Sequence, residues 1–301
     1  LWLHGNVFGA ARLATAATVF CAIFVQALPF LVLGVLLSGL IAAYVSPERL
    51  ARWLPRRPGA AVLAAGLAGA ALPGCECGSV PAARRLFGDG AAGPAALAFM
   101  LSAPAINPVV LVATSVAFPG HPAMVAARLI ASLLTALIMG VLWSRWGRPS
   151  WITRTLPDAH RHGSGSRWTV FGEAARHDFL QAASYLVIGA ATAALLQAMM
   201  PPWVFEHLAG HLILGVVSMA ALAFVLALCS EADAFVVASL TMVPLVPRLV
   251  FLVVGPAVDL KLVAMQTGMF GRAFTLRFAP VTLLVATTVG TAVGVLLLGG
   301  P

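Results

Sequence analysis

The stretch Pro73-Gly74-Cys75-Glu76-Cys77-Gly78 decides how this chain folds, because it interrupts an apolar run that begins at Ala60. Proline and glycine break a helix, while two thiols and a carboxylate are costly inside hydrocarbon. Irregular polar backbone persists at membrane depth only where it is buried in protein or lines a wet cavity. The stretch therefore predicts a functional site inside a membrane protein.

The composition is that of an all-α polytopic membrane protein. Of the 301 residues, 61% are hydrophobic and 9% are charged, against about 25% charged residues in soluble domains. We expect a lipid bilayer around the chain, and we attribute the net charge of +8 to basic cytoplasmic loops rather than to nucleic-acid binding. The apolar stretches long enough to cross as helices, and too long for barrel strands, are 13–45, 179–200, 249–270 and 280–298.

The two halves of the chain resemble each other. The interruption around Glu76 corresponds to Cys229-Ser230-Glu231-Ala232-Asp233, and Ala103-Pro104-Ala105-Ile106-Asn107 corresponds to Gly255-Pro256-Ala257-Val258-Asp259. Chance similarity between Ala/Leu/Val-rich helices does not explain why both interruptions recur in the same order. A duplication is therefore predicted, with a first membrane repeat at 1–143, a basic cytoplasmic linker at 144–177 and a second membrane repeat at 178–301.

The arginines favour inverted repeats. If the first broken segment of each half re-enters the membrane instead of crossing it, most of the 18 Lys and Arg lie on one side, and Arg12 and Arg248 lie on the other. The positive-inside rule prefers this arrangement to eight crossing segments. Each half then crosses three times, so the second copy is inverted and the broken helices meet near the midplane, as in secondary transporters.

The two thiols beside Glu76 indicate a site for a soft ion. Cys75 and Cys77 point apart in a regular helix or strand, but an irregular turn at Pro73 and Gly74 lets them converge. Converging thiolates suit Zn²⁺, Cu(I) or As(III), and Glu76 could add an oxygen ligand or carry a proton. A tight helix crossing would explain the glycines but not the glutamate, so Cys75, Cys77 and Glu76 are the candidate metal ligands.

The second copy supplies further carboxylates. Glu231 and Asp233 are either proton carriers or acids bonded to backbone at a helix break. Ser230 takes the place of Cys75, so the glutamates are the element that both copies share. We expect Asn107 and Asp259 to face each other across a pseudo-twofold axis.

Two cations and two further cysteines lie inside apolar segments. Lys261, the only lysine in the sequence, either neutralises Asp259 or Glu231 or snorkels toward the interface. Arg128 is either a counter-ion or a residue near a helix end. Cys21 and Cys229 are expected to be small packing residues.

Three motifs together resemble the bacterial predicted-permease family, which includes ArsP-type organoarsenical efflux permeases and YraQ-like proteins. They are Pro73–Gly78, Ser102-Ala-Pro-Ala-Ile-Asn107-Pro108 and Ser230-Glu-Ala-Asp-Ala-Phe235, and the likeness extends from about Phe24 to Leu298. The resemblance implies an inner-membrane permease, some of whose relatives export trivalent organoarsenicals while others handle zinc or copper. It places substrate contacts at Cys75, Glu76 and Cys77, supported by Asn107, Glu231 and Asp233.

The predicted function is a secondary-active permease, not an enzyme, that exports a thiophilic metal or metalloid species with proton coupling. No nucleotide-binding motif is present, and no cofactor is expected. The expected partners are the bilayer, protons and the substrate, with a second copy of the chain or an accessory subunit. Alternatives are a permease for a small organic anion or lipid-like molecule and, with less support, a membrane thiol oxidoreductase. The candidate substrate residues are Cys75, Glu76, Cys77, Asn107, Ser230, Glu231, Asp233 and Asp259, and the candidates for proton coupling or charge pairing are Glu76, Glu231 and Lys261.

Overall fold

The chain folds into α-helices, and no strand occurs among the residues that the structure describes. The computed structural model describes residues 10–44, 55, 57–69, 76–87, 93–152, 167–199, 212–241 and 243–299. In the first half the helices are α1 (Ala10–Tyr44), α2 (Pro58–Gly69), α3 (Glu76–Leu86), α4 (Gly93–Ile106), α5 (Pro108–Ala117) and α6 (Pro122–Trp146). In the second half they are α7 (Arg167–Met199), α8 (Leu212–Leu226), α9 (Ser230–Ser239), α10 (Leu245–Ala257), α11 (Leu260–Phe270) and α12 (Arg272–Leu298).

Both halves present their helices in the same order: one long helix, two interrupted pairs of short helices, and another long helix. Within the described residues, five helical segments are long and apolar enough to cross a membrane, namely Gly93–Ala117, Pro122–Trp146, Trp168–Leu195, Leu245–Phe270 and Arg272–Leu298. The prediction of an all-α polytopic membrane protein is thus confirmed. At 1.5 Å of rise per residue, α2 and α8, with 12 and 15 residues, are each too short to cross the roughly 30 Å of hydrocarbon.

The helix α2 runs parallel to α4. Near its start, Val62 lies against Gly140 of α6, which also lies against Pro94 at the start of α4. At its end, Gly69 lies against Ser102, well along α4. Therefore α2 starts at the end of the bundle where α4 begins, and its last described turn lies at mid-depth.

The helix α3 returns to the end from which α2 entered. Its first turn lies at mid-depth, where Ser79 Oγ donates a hydrogen bond of 3.1 Å to the carbonyl of Met100. Phe87, directly after α3, lies against Gly93 at the start of α4. The pair α2–α3 thus begins and ends on one side of the bundle.

The crossing helices of the second half, α10–α11 and α12, run in the opposite direction to their counterparts α4–α5 and α6 in the first half. Gly294 near the end of α12 lies against Val246 at the start of α10. Trp143 at the end of α6 packs on Phe274 at the start of α12, with ring centroids 5.3 Å apart, and it also lies against Gly93. Hence α4–α5 and α10–α11 cross in opposite directions, as do α6 and α12. These are the directions that an inverted repeat requires, and the duplication itself stays a prediction.

Basic residues gather at the end of the bundle where α3 stops and α12 begins. The described arginines there include Arg57, Arg84, Arg145, Arg148, Arg272 and Arg277, whereas Arg248 lies at the start of α10, at the opposite end. The positive-inside rule predicts that this basic end faces the cytoplasm, and the side stays a prediction. The predicted linker 144–177 also starts at this end of the bundle. It is helical from Arg167 onward, while residues 153–166 lie outside the described part of the chain. The predicted domain limits therefore stay predictions.

Candidate substrate site at the helix breaks

Two short helices from opposite halves meet at their N-terminal ends. The helix α3 begins at Glu76 and α9 begins at Ser230. Ser230 Oγ donates a hydrogen bond of 2.8 Å to Glu76 Oε1, and both residues are fully buried. The two polar interruptions that correspond in sequence are therefore in direct contact; we call the first turns of α3 and α9 the two tips.

Local structure favours a carboxylate at this place. The backbone N–H groups at the start of a helix have no partner within the helix, and together with the helix dipole they attract negative charge. Glu76 lies in the first turn of α3, so its negative charge is stabilised there although the side chain is shielded from water.

Lys261 brings a positive charge to the same point. Its Nζ lies 3.6 Å from Glu76 Oε2 and 3.6 Å from Asp259 Oδ2, and 3.5 Å from the carbonyl oxygen of Ala227. Charge-assisted hydrogen bonds are typically about 2.7–2.9 Å long, so the ammonium lies between the two carboxylates rather than tightly against either. Neither Glu76 Oε2 nor Asp259 Oδ2 accepts a hydrogen bond from the described residues.

The backbone of Ala227 has an unusual conformation at the break between α8 and α9. Its φ is +48°, the one positive φ among the described residues other than glycine. Such a left-handed conformation costs an L-residue about 1–2 kcal/mol. Strained backbone of this kind concentrates at functional sites, and here it accompanies a carbonyl that faces Lys261.

Asn107 and Asp259 each cap the N-terminus of a helix, one in each half of the chain. Asn107 Oδ1 accepts a 3.0 Å hydrogen bond from the N–H of Val110 and so caps α5. Asp259 Oδ1 accepts from the N–H of Leu262 and caps α11. Each cap starts a new helix directly after a break, which explains why both positions carry a short side chain with an acceptor oxygen.

Arg128 connects the first half to the tip of α9. This buried guanidinium donates to Thr114 Oγ1 at 2.8 Å, to the carbonyl of Ser230 at 3.0 Å and to Asp233 Oδ2 at 2.9 Å. Asp233 lies on the first turn of α9, and Arg128 lies on α6. Each tip is therefore held by a cation that comes from the other half of the chain.

The remaining predicted ligands are only partly described. Cys77 is fully buried in the first turn of α3, Cys75 lies outside the described residues, and only the backbone of Glu231 is described. Among the described residues, no three His, Cys, Asp or Glu side chains are arranged to hold a metal ion. The metal ligands Cys75, Cys77 and Glu76 therefore stay a prediction.

Arg128 and Cys229 were not among the candidate site residues predicted from the sequence. Arg128 was left between two interpretations, and the acid that it contacts could not be identified from spacing. Cys229 is buried as expected, and it is the residue directly before the tip of α9. Its position next to Ser230, in the copy of the Cys75–Cys77 stretch, is the signal that could have pointed to it.

An apolar groove lies away from this cluster, at the turn between α5 and α6. It has a volume of about 490 Å³, and its lining includes Leu111, Phe118, Val125 and Leu129. None of the candidate substrate residues lines it. The candidate site is thus a closely packed polar cluster, closed to solvent around Glu76 and Lys261.

Known proteins resemble this chain over most of its length. The predicted-permease family ArsP_1 matches residues 12–295. The protein "UPF0718 protein YcgR" of Bacillus subtilis is 37% identical over 264 residues, which cover 85% of this chain and 89% of that protein. The "Putative two-component membrane permease complex subunit" of Streptococcus mutans is 31% identical over 284 residues, covering 92% and 94% of the two chains.

No solved structure matches the chain. The family match covers both halves with the linker between them, and the relatives align over nearly their whole length. These similarities agree with the apolar helices that cross the bundle. The chain belongs to the predicted-permease family, and it is a multi-pass bacterial membrane transporter.

Proposed function

We propose that this protein is a secondary-active permease that exports a thiophilic metal or metalloid species in exchange for protons. The observation that carries the proposal is the buried contact between Glu76 and Ser230, which joins two helix tips from opposite halves at mid-depth. Helix breaks that meet at this depth are where secondary transporters bind substrate and coupling ion.

The proposed substrate class rests on Cys75 and Cys77, the cysteines on either side of Glu76 in the sequence. Cys77 is buried next to Glu76, and Cys75 lies two residues before it. Thiolates bind soft and borderline ions, so the candidate substrates are a trivalent organoarsenical, zinc and copper. Glu76 supplies an oxygen beside the thiols.

Proton coupling follows from the chemistry of these ligands. Metal binding to thiols requires that they be deprotonated and so releases protons. Glu76, whose Oε2 accepts no hydrogen bond from the described residues, and Glu231 exchange protons as access alternates. Protonation and substrate binding then compete, which gives antiport. Asn107 and Asp259 support the site by fixing where the helices restart.

The balance of charge favours a cationic or neutral substrate over an organic anion or a lipid-like molecule. Around the tips, the described carboxylates are Glu76, Asp233 and Asp259, against the two cations Arg128 and Lys261. Both cations already contact carboxylates, so neither is available to an anion. The name of the Streptococcus mutans relative describes a complex subunit, which supports an accessory subunit as a partner.

The test is direct titration of the purified protein with Zn²⁺, Cu(I) and a trivalent organoarsenical. We expect at least one of them to bind to the wild type, and binding and transport to be lost in the Cys75→Ser/Cys77→Ser variant. The matched control is Cys21→Ser, which removes an exposed thiol of α1 and leaves binding intact. Unchanged affinity and transport in the double variant would discard the thiol site.

A further inference from the structure

The helices α3 and α11 lie side by side between mid-depth and the basic end of the bundle. At mid-depth, Lys261 Nζ lies 3.6 Å from Glu76 Oε2. At the basic end, Arg84 Nε donates a hydrogen bond of 2.7 Å to the carbonyl of Met269. Because α3 belongs to the first half and α11 to the second, a boundary between the halves leads from the candidate site to the basic end.

Arg84 joins the two halves at the far end of this boundary. The last carbonyls of a helix have no partner within it and carry the negative end of its dipole, so they attract a cation. The guanidinium carbon also lies 5.8 Å from the centre of the Phe270 ring, within the range of a cation–π contact. Arg84 is only 5% exposed, so this polar connection is shielded from water.

Aromatic side chains from both halves pack beside Arg84, and we call them the aromatic cluster. Phe87, directly after α3, meets Phe270 and Trp143 edge-on, with ring centroids 5.8 Å and 5.7 Å apart. Phe270 stacks on Phe274 at 4.8 Å, and Trp143 meets Phe274 at 5.3 Å. The cluster therefore connects α3 and α6 of the first half to α11 and α12 of the second.

Gln266 lies on α11 between the candidate site and the aromatic cluster. It follows Lys261 by five residues, which is about 7–8 Å along a helix, and it precedes Phe270 by one turn on the same face. Gln266 is 1% exposed, and its Oε1 accepts no hydrogen bond from the described residues. A buried acceptor without a partner is costly, and this one is free to accept a bond from water or from a substrate.

The opposite side of α11 is packed closely on α7 of its own half. Gln181 Nε2 donates a hydrogen bond of 2.7 Å to the carbonyl of Gly268. A Cβ placed on Gly189 would lie 2.8 Å from the Cα of Lys261, so the two backbones approach each other directly. A movement of the halves relative to each other therefore leaves α11 on α7 and parts it from α3.

We propose that the boundary between α3 and α11 is the passage by which substrate moves between the candidate site and the basic end. Arg84 and the aromatic cluster are its gate, closed in this structure, and Gln266 lines the passage when the gate opens. Alternating access requires that a site at mid-depth be reached from each side in turn. The inference rests on the assignment as a transporter alone and holds for any substrate.

The first experiment measures how readily water reaches Gln266. Gln266→Cys is made the only thiol by replacing the four native cysteines with serine or alanine, namely Cys21, Cys75, Cys77 and Cys229. The protein is placed in lipid nanodiscs without substrate and treated with iodoacetamide, and alkylation is followed by intact mass. The matched control is Ala190→Cys in the same background, at a fully buried position of α7.

We expect the thiol at position 266 to react at least about tenfold faster than the thiol at position 190, because the gate opens spontaneously for part of the time. Ordinary core packing gives no such difference, since both positions are fully enclosed by protein. Equal rates at the two positions overturn the passage.

The second experiment opens the gate by substitution. Phe87→Ala and Arg84→Gln should each speed alkylation at position 266 at least about tenfold, because they destabilise the closed state, and should leave position 190 unchanged. The matched control is Phe118→Ala, which removes an equally buried phenylalanine directly after α5, at the opposite end, and should not speed alkylation. A rise of similar size at position 190, or with Phe118→Ala, overturns the gate.

Amide hydrogen exchange gives an independent reading in chains that keep all four cysteines. Phe87→Ala should speed exchange in both α3 and α11 relative to wild type, whereas Phe118→Ala should leave these two helices unchanged. Exchange in α3 and α11 that is equal in the two variants overturns the gate. No metal or metalloid is present in these measurements, so a failed metal titration would refute the proposed substrate and leave the passage standing.

Discussion

Replacing Lys261 by methionine removes one charge from the centre of the molecule and keeps the length of the side chain. The ammonium lies 3.6 Å from an oxygen of Glu76 and 3.6 Å from an oxygen of Asp259, and all three side chains are fully buried. The variant therefore leaves two carboxylates from opposite halves facing each other without their shared cation.

The expected cost follows from these distances. At an effective dielectric constant of about 20, each 3.6 Å pair is worth about 4–5 kcal/mol. Dehydration of the ammonium offsets several kcal/mol of that attraction. Since breaking a buried ion pair typically costs about 3–5 kcal/mol, the variant should melt on the order of 10 °C below wild type.

The assay is thermal unfolding in detergent, followed by fluorescence-detected gel filtration. Asp259→Asn in the Lys261→Met background removes one of the stranded charges and keeps the cap on α11, so it should recover at least half of the loss. The control is Arg145→Met, on an exposed turn of α6, which should melt within about 2 °C of wild type. A Lys261→Met variant as stable as wild type, or a double variant no more stable than the single, would refute this reasoning.

Three further predictions test the local backbone and packing by the same melting assay. Ala227→Gly should stabilise the protein by up to about 1 kcal/mol, since glycine adopts its φ of +48° without strain; a loss of stability would contradict the left-handed backbone. Gly189→Ala places a Cβ 2.8 Å from the Cα of Lys261 and should cost about 1–3 kcal/mol. The control is Gly172→Ala on the same helix, where an added Cβ has no atom within 4 Å, so this variant should be as stable as wild type or more stable. Equal changes in melting temperature for Gly189→Ala and Gly172→Ala would contradict the packing of α7 on α11. Asn107→Ala should cost at least about 1 kcal/mol, because it removes both the cap on α5 and the hydrogen bond to the carbonyl of Ala103. Asn107→Ser keeps a capping oxygen without adding a charge and should cost less; equal losses would contradict capping.

The sequence predicted the breaks because their causes are local. Proline, glycine and charged residues inside an apolar run interrupt a helix wherever the chain goes, so the interruptions at Glu76, Asn107, Ser230 and Asp259 could be located. The match between Asn107 and Asp259 came from aligning the halves, and in the structure both cap a helix.

The pairing of charges could not be predicted because it depends on helices far apart in the chain. Lys261 contacts Glu76, and Arg128 contacts Asp233, across the interface between the halves. Spacing along the chain carries no information about such contacts. The left-handed backbone of Ala227 was likewise hidden, since alanine, unlike glycine, gives no sign of a positive φ.

Proton-coupled transport is measured most directly as substrate flux into proteoliposomes under an imposed pH gradient. A trivalent organoarsenical, Zn²⁺ and Cu(I) are supplied in turn, and internal pH is followed together with accumulation. We expect at least one of them to accumulate against its gradient with counterflow of protons, Cys77→Ser to abolish this accumulation, and Cys21→Ser to leave it unchanged. Accumulation independent of the pH gradient, or equal in the Cys77→Ser variant, would contradict this expectation.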